Sequence, residues 1–242
     1  MKVIFSGLEG SGKSYKLAET AAFLLYRNSK WNKITGKSRP IVSNMLFAQQ
    51  FIQEAQEQGV EIKYWKDLDD LVLLTEADII CDEVGNYFDA RMWADLSLDV
   101  RRWLTQGSKT GIEFYGGAQD FAQVDKAFRR LVSPGDLLHI TKLVGSRRPS
   151  ATKPPVTRIW GLCAVRKLDP LGYDEDKKQF SGGIIPSFFF IRKEICEIFD
   201  TGQKIVRSKP PLLRHIEQWC EDEKCPVHGK HSHYGKPRYK HV

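Results

Sequence analysis

The run Lys2-Val3-Ile4-Phe5-Ser6-Gly7-Leu8-Glu9-Gly10-Ser11-Gly12-Lys13-Ser14 decides how the rest of the chain is read. After Lys2, its next four residues are β-branched, aromatic and small, as in a short buried strand. The apolar positions that follow, Tyr15, Leu17, Ala18, Ala21, Ala22, Leu24 and Leu25, have helical spacing. Between strand and helix, Gly7 to Ser14 fits G-x-x-x-x-G-K-[ST] in full, in the setting that this phosphate-binding motif needs. Glycines at 7, 10 and 12 let the backbone turn tightly. The N–H groups of Gly7, Leu8, Glu9, Gly10, Ser11, Gly12, Lys13 and Ser14 can then surround a phosphate at the positive end of the helix. Lys13 would reach the β- and γ-phosphates and the Ser14 hydroxyl would ligate Mg²⁺, so ATP and Mg²⁺ are the expected ligands.

Hydrolysis needs carboxylates as well, and Ala77-Asp78-Ile79-Ile80-Cys81-Asp82-Glu83 is an apolar strand that ends in an acidic pair. Asp82 can hold the magnesium through water, which leaves Glu83 to orient and deprotonate the attacking water. That pair favours an ATPase over a small-molecule kinase. Asp78 reads as the exposed start of the strand and Cys81 as a small buried hydrophobe. Gly111 to Gln119 forms the next strand and passes through Gly116 and Gly117. In a parallel sheet its end shares one rim with the nucleotide, so Gln119 can sense the γ-phosphate or its water.

Further along, Ile41 to Met45 and Glu61 to Trp65 read as extended, and Phe47 to Gln58, Arg91 to Gln106 and Phe121 to Leu131 as helices. Strands alternating with helices imply right-handed crossovers and a mainly parallel sheet. After Pro134 the strands Leu137 to Val144, Val156 to Leu168 and Ile184 to Ile191 have no helices between them, which suggests an antiparallel extension. The expected organisation is an α/β P-loop core over 1–135, an antiparallel β extension over 136–200 and a basic tail over 201–242.

The 242 residues are 41% hydrophobic, enough for a real core, and this excludes a disordered chain or a disulfide-stapled miniprotein. No apolar run approaches the roughly 20 residues of a membrane span, and the N-terminal apolar stretch is too short for a signal peptide. Five irregularly spaced cysteines fit a reducing, cytoplasmic setting. The net charge of +7 points to an anionic partner. Its placement is uneven: residues 201–242 hold nine Lys and Arg against four acids. Two more basic clusters, Arg27, Lys30, Lys33, Lys37 and Arg39 around Trp31, and Arg147, Arg148 and Lys153, are candidates for contact with a DNA backbone.

The order of P-loop, Asp82-Glu83 and Gln119 resembles the FtsK–HerA group of P-loop ATPases. Within it the chain looks most like the Zot-like assembly proteins of filamentous phages and the genome-packaging ATPases of tailless viruses. Arg39-Pro40-Ile41-Val42-Ser43-Asn44 resembles the Zot-like second strand, with its terminal asparagine. The resemblance covers about residues 1–135. It implies a homo-oligomeric ring in which a neighbour's arginine completes the site and ATP turnover moves DNA. The basic residue that the group places before the Gln-bearing strand would be Lys109, or the trans-acting residue would be Arg101, Arg102, Arg129 or Arg130. Zot-like proteins usually carry a membrane segment after the ATPase domain. This chain shows none, which favours viral genome packaging in the host cytoplasm or on the virion. The alternative is a Zot-like assembly or secretion ATPase working with a separate membrane protein.

In the tail, Cys220, Cys225, His228 and either His231 or His233 could supply four zinc ligands, although the spacing between the Cys and His pairs is shorter than in familiar fingers. A basic, His-rich tail without metal is the competing expectation. Either version could bind DNA or dock on a capsid or membrane assembly protein, because Tyr234 to Lys240 interleaves aromatics with bases.

Overall fold

Alternation along the strands sorts the side chains onto the two faces of one sheet. Ile4, Val42, Ile79, Cys81, Phe114 and Ala118 pack on one side. Phe5, Ile41, Ile80 and Tyr115 pack on the other, against the first helix. In the computed structural model, which describes residues 1–91, 96–107, 109–145, 161–174, 179–181 and 187–199, both faces are covered. The elements run β1 (Lys2–Ser6), α1 (Lys13–Thr35), β2 (Ile41–Ser43), α2 (Gln49–Glu57), β3 (Ile62–Tyr64), β4 (Asp78–Cys81), α3 (Leu98–Gln106), β5 (Glu113–Ala118), α4 (Lys126–Arg129), β6 (Leu137–Gly145), β7 (Gly161–Leu168), β8 (Tyr173–Asp174), β9 (Gln179–Phe180), β10 (Ser187–Ile191) and α5 (Lys193–Cys196).

The strand order is β10-β7-β6-β1-β5-β4-β2-β3. All neighbours from β6 to β3 are parallel. Among the described strands of this sheet only β7 runs against the rest; β10 pairs antiparallel with β7 and so points the same way as β6. This is an α/β fold, with a mainly parallel sheet flanked by helices. The antiparallel extension therefore begins one strand later than the sequence suggests. β6 has no preceding long helix, yet it returns parallel to β1, with Ser6 opposite His139. A small hairpin, β8 with β9, stands apart from the main sheet.

Two helices are shorter than their apolar spacing suggests. α3 starts at Leu98, where the Ser97 hydroxyl accepts from the Val100 N–H at 3.3 Å; residues 92–95 lie outside the described residues. The stretch read as one helix from Phe121 to Leu131 is a 3₁₀ turn, Phe121–Gln123, followed by α4. Asp120 and Asp125 each accept an N–H two residues on, at 3.0 and 2.6 Å, and so begin separate turns. The tail over 201–242, with its candidate zinc ligands Cys220, Cys225, His228, His231 and His233, lies outside the described residues, as does the basic loop at Arg147, Arg148 and Lys153.

The N-terminal rim of the sheet carries an ion network that corrects two sequence expectations. Asp78, expected to be exposed, is fully buried. Arg27 Nη2 and Arg39 Nη2 donate to its Oδ1 at 2.6 and 2.7 Å. Arg39 Nε and Asn28 Nδ2 donate to its Oδ2 at 2.9 and 2.7 Å. Arg27 Nη1 also donates to Glu113 at 2.6 Å, and Lys37 lies 3.7 Å from Glu76. The basic cluster has no acid nearby in sequence, but the fold brings three against it. Arg27 and Arg39 neutralise strand starts rather than forming a free DNA-contacting loop, and Arg27 lies within α1. Burial opposes the charge on Glu113, but hydrogen bonds from Arg27 and Tyr115 outweigh it and hold the carboxyl below its ordinary range. Burial, and then Glu113 itself, pushes the Tyr115 phenol up.

Candidate nucleotide site

β1 delivers the P-loop to the C-terminal rim, and α1 begins at Lys13. Gly7, Gly10 and Gly12 hold φ of +146°, +76° and +110°, backbone that side chains other than hydrogen rarely adopt. At Gly7 a Cβ would also sit 2.4 Å from the Ile140 carbonyl oxygen, so the loop leans directly on β6. Lys13 is buried, and its Nζ donates to the carbonyls of Gly7 at 2.8 Å and Leu8 at 3.1 Å. The ammonium is thus held inside the loop. Leu8 is among the most exposed apolar side chains, while Ser11 is buried.

β5 separates β1 from β4 in the sheet, so the acidic pair must cross it to approach the P-loop. Two glycines make the crossing short. A Cβ on Gly117 would lie 3.0 Å from Asp82 Oδ1, and one on Gly116 would lie 2.4 Å from Val84 Cγ2. Glu83 has φ +55° and ψ +61°, a left-handed conformation uncommon outside glycine. From there its Oε1 accepts a hydrogen bond from Gln119 Nε2 at 3.0 Å. The fold therefore brings Asp82, Glu83 and Gln119 to the rim that carries Lys13 and Ser14. Cys81 is buried as expected, and burial together with Asp82 and Glu83 pushes its thiol well up.

The basic residues weighed as trans-acting groups are dispersed. Lys109 is exposed in the turn that enters β5, at the rim opposite the P-loop. On α3, Arg102 pairs with Asp99 at 3.7 Å and Arg101 is partly buried. At α4, Arg129 lies over the Phe180 ring at 6.0 Å and Arg130 is exposed.

Sequence reasoning gave no role to His139 and Cys163, which flank the loop, or to the Asn44 side chain, which stands farther off at the end of β2. Ser6 Oγ and His139 Nδ1 are 3.2 Å apart, and burial, with Arg166 and Lys13 adding to it, lowers the His139 pKa. The Cys163 thiol, brought up by β7, donates to the Ser11 carbonyl at 3.3 Å. Asn44, at the end of β2, bonds to Asp82. The first two depend on β6 and β7 lying beside the P-loop, a placement that no local pattern encodes. A cavity of about 550 Å³ opens on this β6 side, between Leu8 to Ser11 and His139 to Gly145.

The Ser14 hydroxyl and the Asp82 carboxylate, whose Oδ1 is buried, are hard oxygen ligands of the kind that suits Mg²⁺, while the loop N–H groups suit phosphate oxygens. Among the described residues no group of three or more His, Cys, Asp or Glu could hold a metal alone, and no helix is long and apolar enough to cross a membrane.

No protein-family model and no curated protein matches the sequence. Among solved structures, the chain is similar to the N-terminal domain of zonular occludens toxin from Neisseria meningitidis, with TM-score 0.49 and 15% identity over 82% of this chain and 98% of that one. It is also similar to the genome packaging NTPase B204 of Sulfolobus turreted icosahedral virus 2 in complex with ATP-γS, with TM-score 0.37 and 12% identity over 76% and 96% of the two chains. The AMPPCP complex of B204 gives TM-score 0.37 and 11% identity over 75% and 96%. These are remote likenesses of shape.

Proposed function

We propose that the chain is an ATP-hydrolysing motor that translocates or packages DNA, of the viral genome-packaging kind, working as a homo-oligomeric ring. The observation that carries the hydrolytic part is the hydrogen-bonded Glu83–Gln119 pair on the rim of the P-loop. In this reading the P-loop amides and Lys13 bind the β- and γ-phosphates, and Ser14 and Asp82 hold Mg²⁺. When bound, the ion neutralises charge on the phosphate oxygens. Glu83 takes the proton of the attacking water, and Gln119, already bonded to that carboxylate, reports the γ-phosphate to it. A basic side chain from a neighbouring copy completes the site, with Lys109, Arg101, Arg102, Arg129 and Arg130 as candidates.

The DNA partner rests on the placement of charge, a surplus of five within residues 201–242. The test is the ATPase rate with and without DNA for wild type, Lys13→Ala and Glu83→Gln. Lys13→Ala should lose nucleotide binding. Glu83→Gln should keep binding and lose about 10²–10⁴-fold in turnover, the usual contribution of a general base. Turnover indifferent to DNA but raised by a membrane extract would sink the motor reading in favour of a Zot-like assembly ATPase.

A further inference from the structure

The side chain of Asn44 makes contacts that ending a strand does not require. Its Oδ1 accepts from the Asp82 N–H at 2.7 Å and its Nδ2 donates to the Asp82 carbonyl at 3.0 Å. Its own N–H donates to the Ile80 carbonyl at 3.2 Å. One carboxamide therefore holds both backbone polar groups of the residue that carries the first carboxylate. Behind it, Nδ2 lies 3.4 Å from the Tyr87 hydroxyl, Tyr87 packs on Trp65 with ring centroids 4.7 Å apart, and Trp65 Nε1 donates to the Ile80 carbonyl at 3.1 Å. Trp65 and Ile80 are fully buried or nearly so, so the clamp stands on a rigid base.

The clamp acts at the point where the chain changes direction. β4 ends at Cys81, Asp82 is held at both ends, and Glu83 then turns into its left-handed conformation. A 3₁₀ turn follows, with the Asn86 N–H bonded to the Glu83 carbonyl at 2.9 Å. Fixing the Asp82 peptide groups thus fixes where Asp82 projects across Gly117 and where Glu83 meets Gln119. Asn44 itself stands three strand positions from β1, about 14 Å at ordinary strand spacing, too far to touch phosphate. A catalytic group held one ångström out of place can cost about a hundredfold in rate.

We propose that Asn44 is a positioning residue for nucleotide hydrolysis, acting through the backbone of Asp82 on the Asp82-Glu83 pair. The proposal rests on the hydrolase reading above. Asn44→Ala removes both bonds. Asn44→Asp keeps the shape and the acceptor but sets an oxygen against the Asp82 carbonyl, so it tests geometry without opening a cavity. Single-turnover hydrolysis of radiolabelled ATP and binding of a fluorescent ATP analogue should be measured for both variants, in the wild-type and Glu83→Gln backgrounds, with circular dichroism to check folding. Expected is a loss of tenfold or more in kcat for both variants, with the analogue's Kd within about twofold of wild type. In the Glu83→Gln background Asn44→Ala should add little, because the group that it positions is already gone. Two results overturn the inference alone: kcat unchanged in Asn44→Ala and Asn44→Asp while Glu83→Gln is inactive, or an Asn44→Ala loss that multiplies fully with that of Glu83→Gln. A wild-type protein that binds ATP without hydrolysing it overturns the hydrolase reading, and the inference with it.

Discussion

At the scale of single residues, the site depends on atoms that are missing. Gly7 combines a φ of +146° with a Cβ position 2.4 Å from the Ile140 oxygen, so Gly7→Ala has to shift either the loop or β6. Overpacking of this kind costs about 1–3 kcal/mol, several degrees of Tm in a chain this long. The expected result is a lowered unfolding midpoint together with lost nucleotide binding; wild-type behaviour in both would mean that the loop takes another path. Gly116→Ala should cost a similar amount, since its Cβ would strike Val84 Cγ2 at 2.4 Å and Ile4 Cδ1 at 2.9 Å, yet leave Lys13 in place. Gly7 was legible in the sequence, because its motif states what the backbone must do. Gly116 and Gly117 could be read only as a feature of a strand, because their reason is the Asp82–Val84 turn that leans over them.

Between elements, the buried ion network joins α1 and the segment before β2 to the starts of β4 and β5. Removing one partner of a buried pair typically costs about 3–5 kcal/mol, since the other charge stays behind. Asp78→Ala leaves Arg39, 12% exposed, and Arg27, 30% exposed, without their shared acceptor. It should destabilise more than Arg39→Ala, after which Asp78 keeps Arg27 and Asn28. The double variant should lose less than the sum, measured by urea unfolding, because the sites share a network. If Arg39 instead met DNA phosphate, Arg39→Ala would lower the salt slope of DNA binding by about 1, and the network predicts no such change. The strands on both sides of this network were legible because a short apolar run bounded by polar residues is a local signal. Asp78 was misread because the arginines that permit its burial lie 39 and 51 residues away in sequence. The helix expected over Arg91 to Gln106 and the one expected over Phe121 to Leu131 come out shorter for a different reason. Their apolar spacing is real, but Ser97, Asp120 and Asp125 offer the backbone local caps that start shorter turns.

Over the whole molecule, His139 and Glu113 stand at opposite rims of the sheet, and both make acid destabilising. At the P-loop rim the His139 pKa is lowered from 6.5 by burial, with Arg166 and Lys13 adding positive charge nearby. The folded state then binds fewer protons than the unfolded one, so this contribution is full above 6.5 and declines as pH falls through the folded value. At the opposite rim the Glu113 pKa is lowered from 4.5, mainly through Arg27 and Tyr115 working against burial, and its contribution is lost as pH falls below that value. Stability should therefore fall in two stages, the first beginning near pH 6.5 and the second below about 4.5. Urea unfolding from pH 8 down to about pH 2, with each pH step resolved, separates them. His139→Gln should flatten the first stage and leave the second, and an unchanged first stage would remove His139 as its source. Nucleotide turns the first stage into a second readout. Phosphates held by Lys13 would offset the positive charge facing His139 and raise its pKa, so ATP binding at pH 6 should take up protons. The calorimetric binding enthalpy of wild type should then vary with the ionisation enthalpy of the buffer, and that of His139→Gln should vary less.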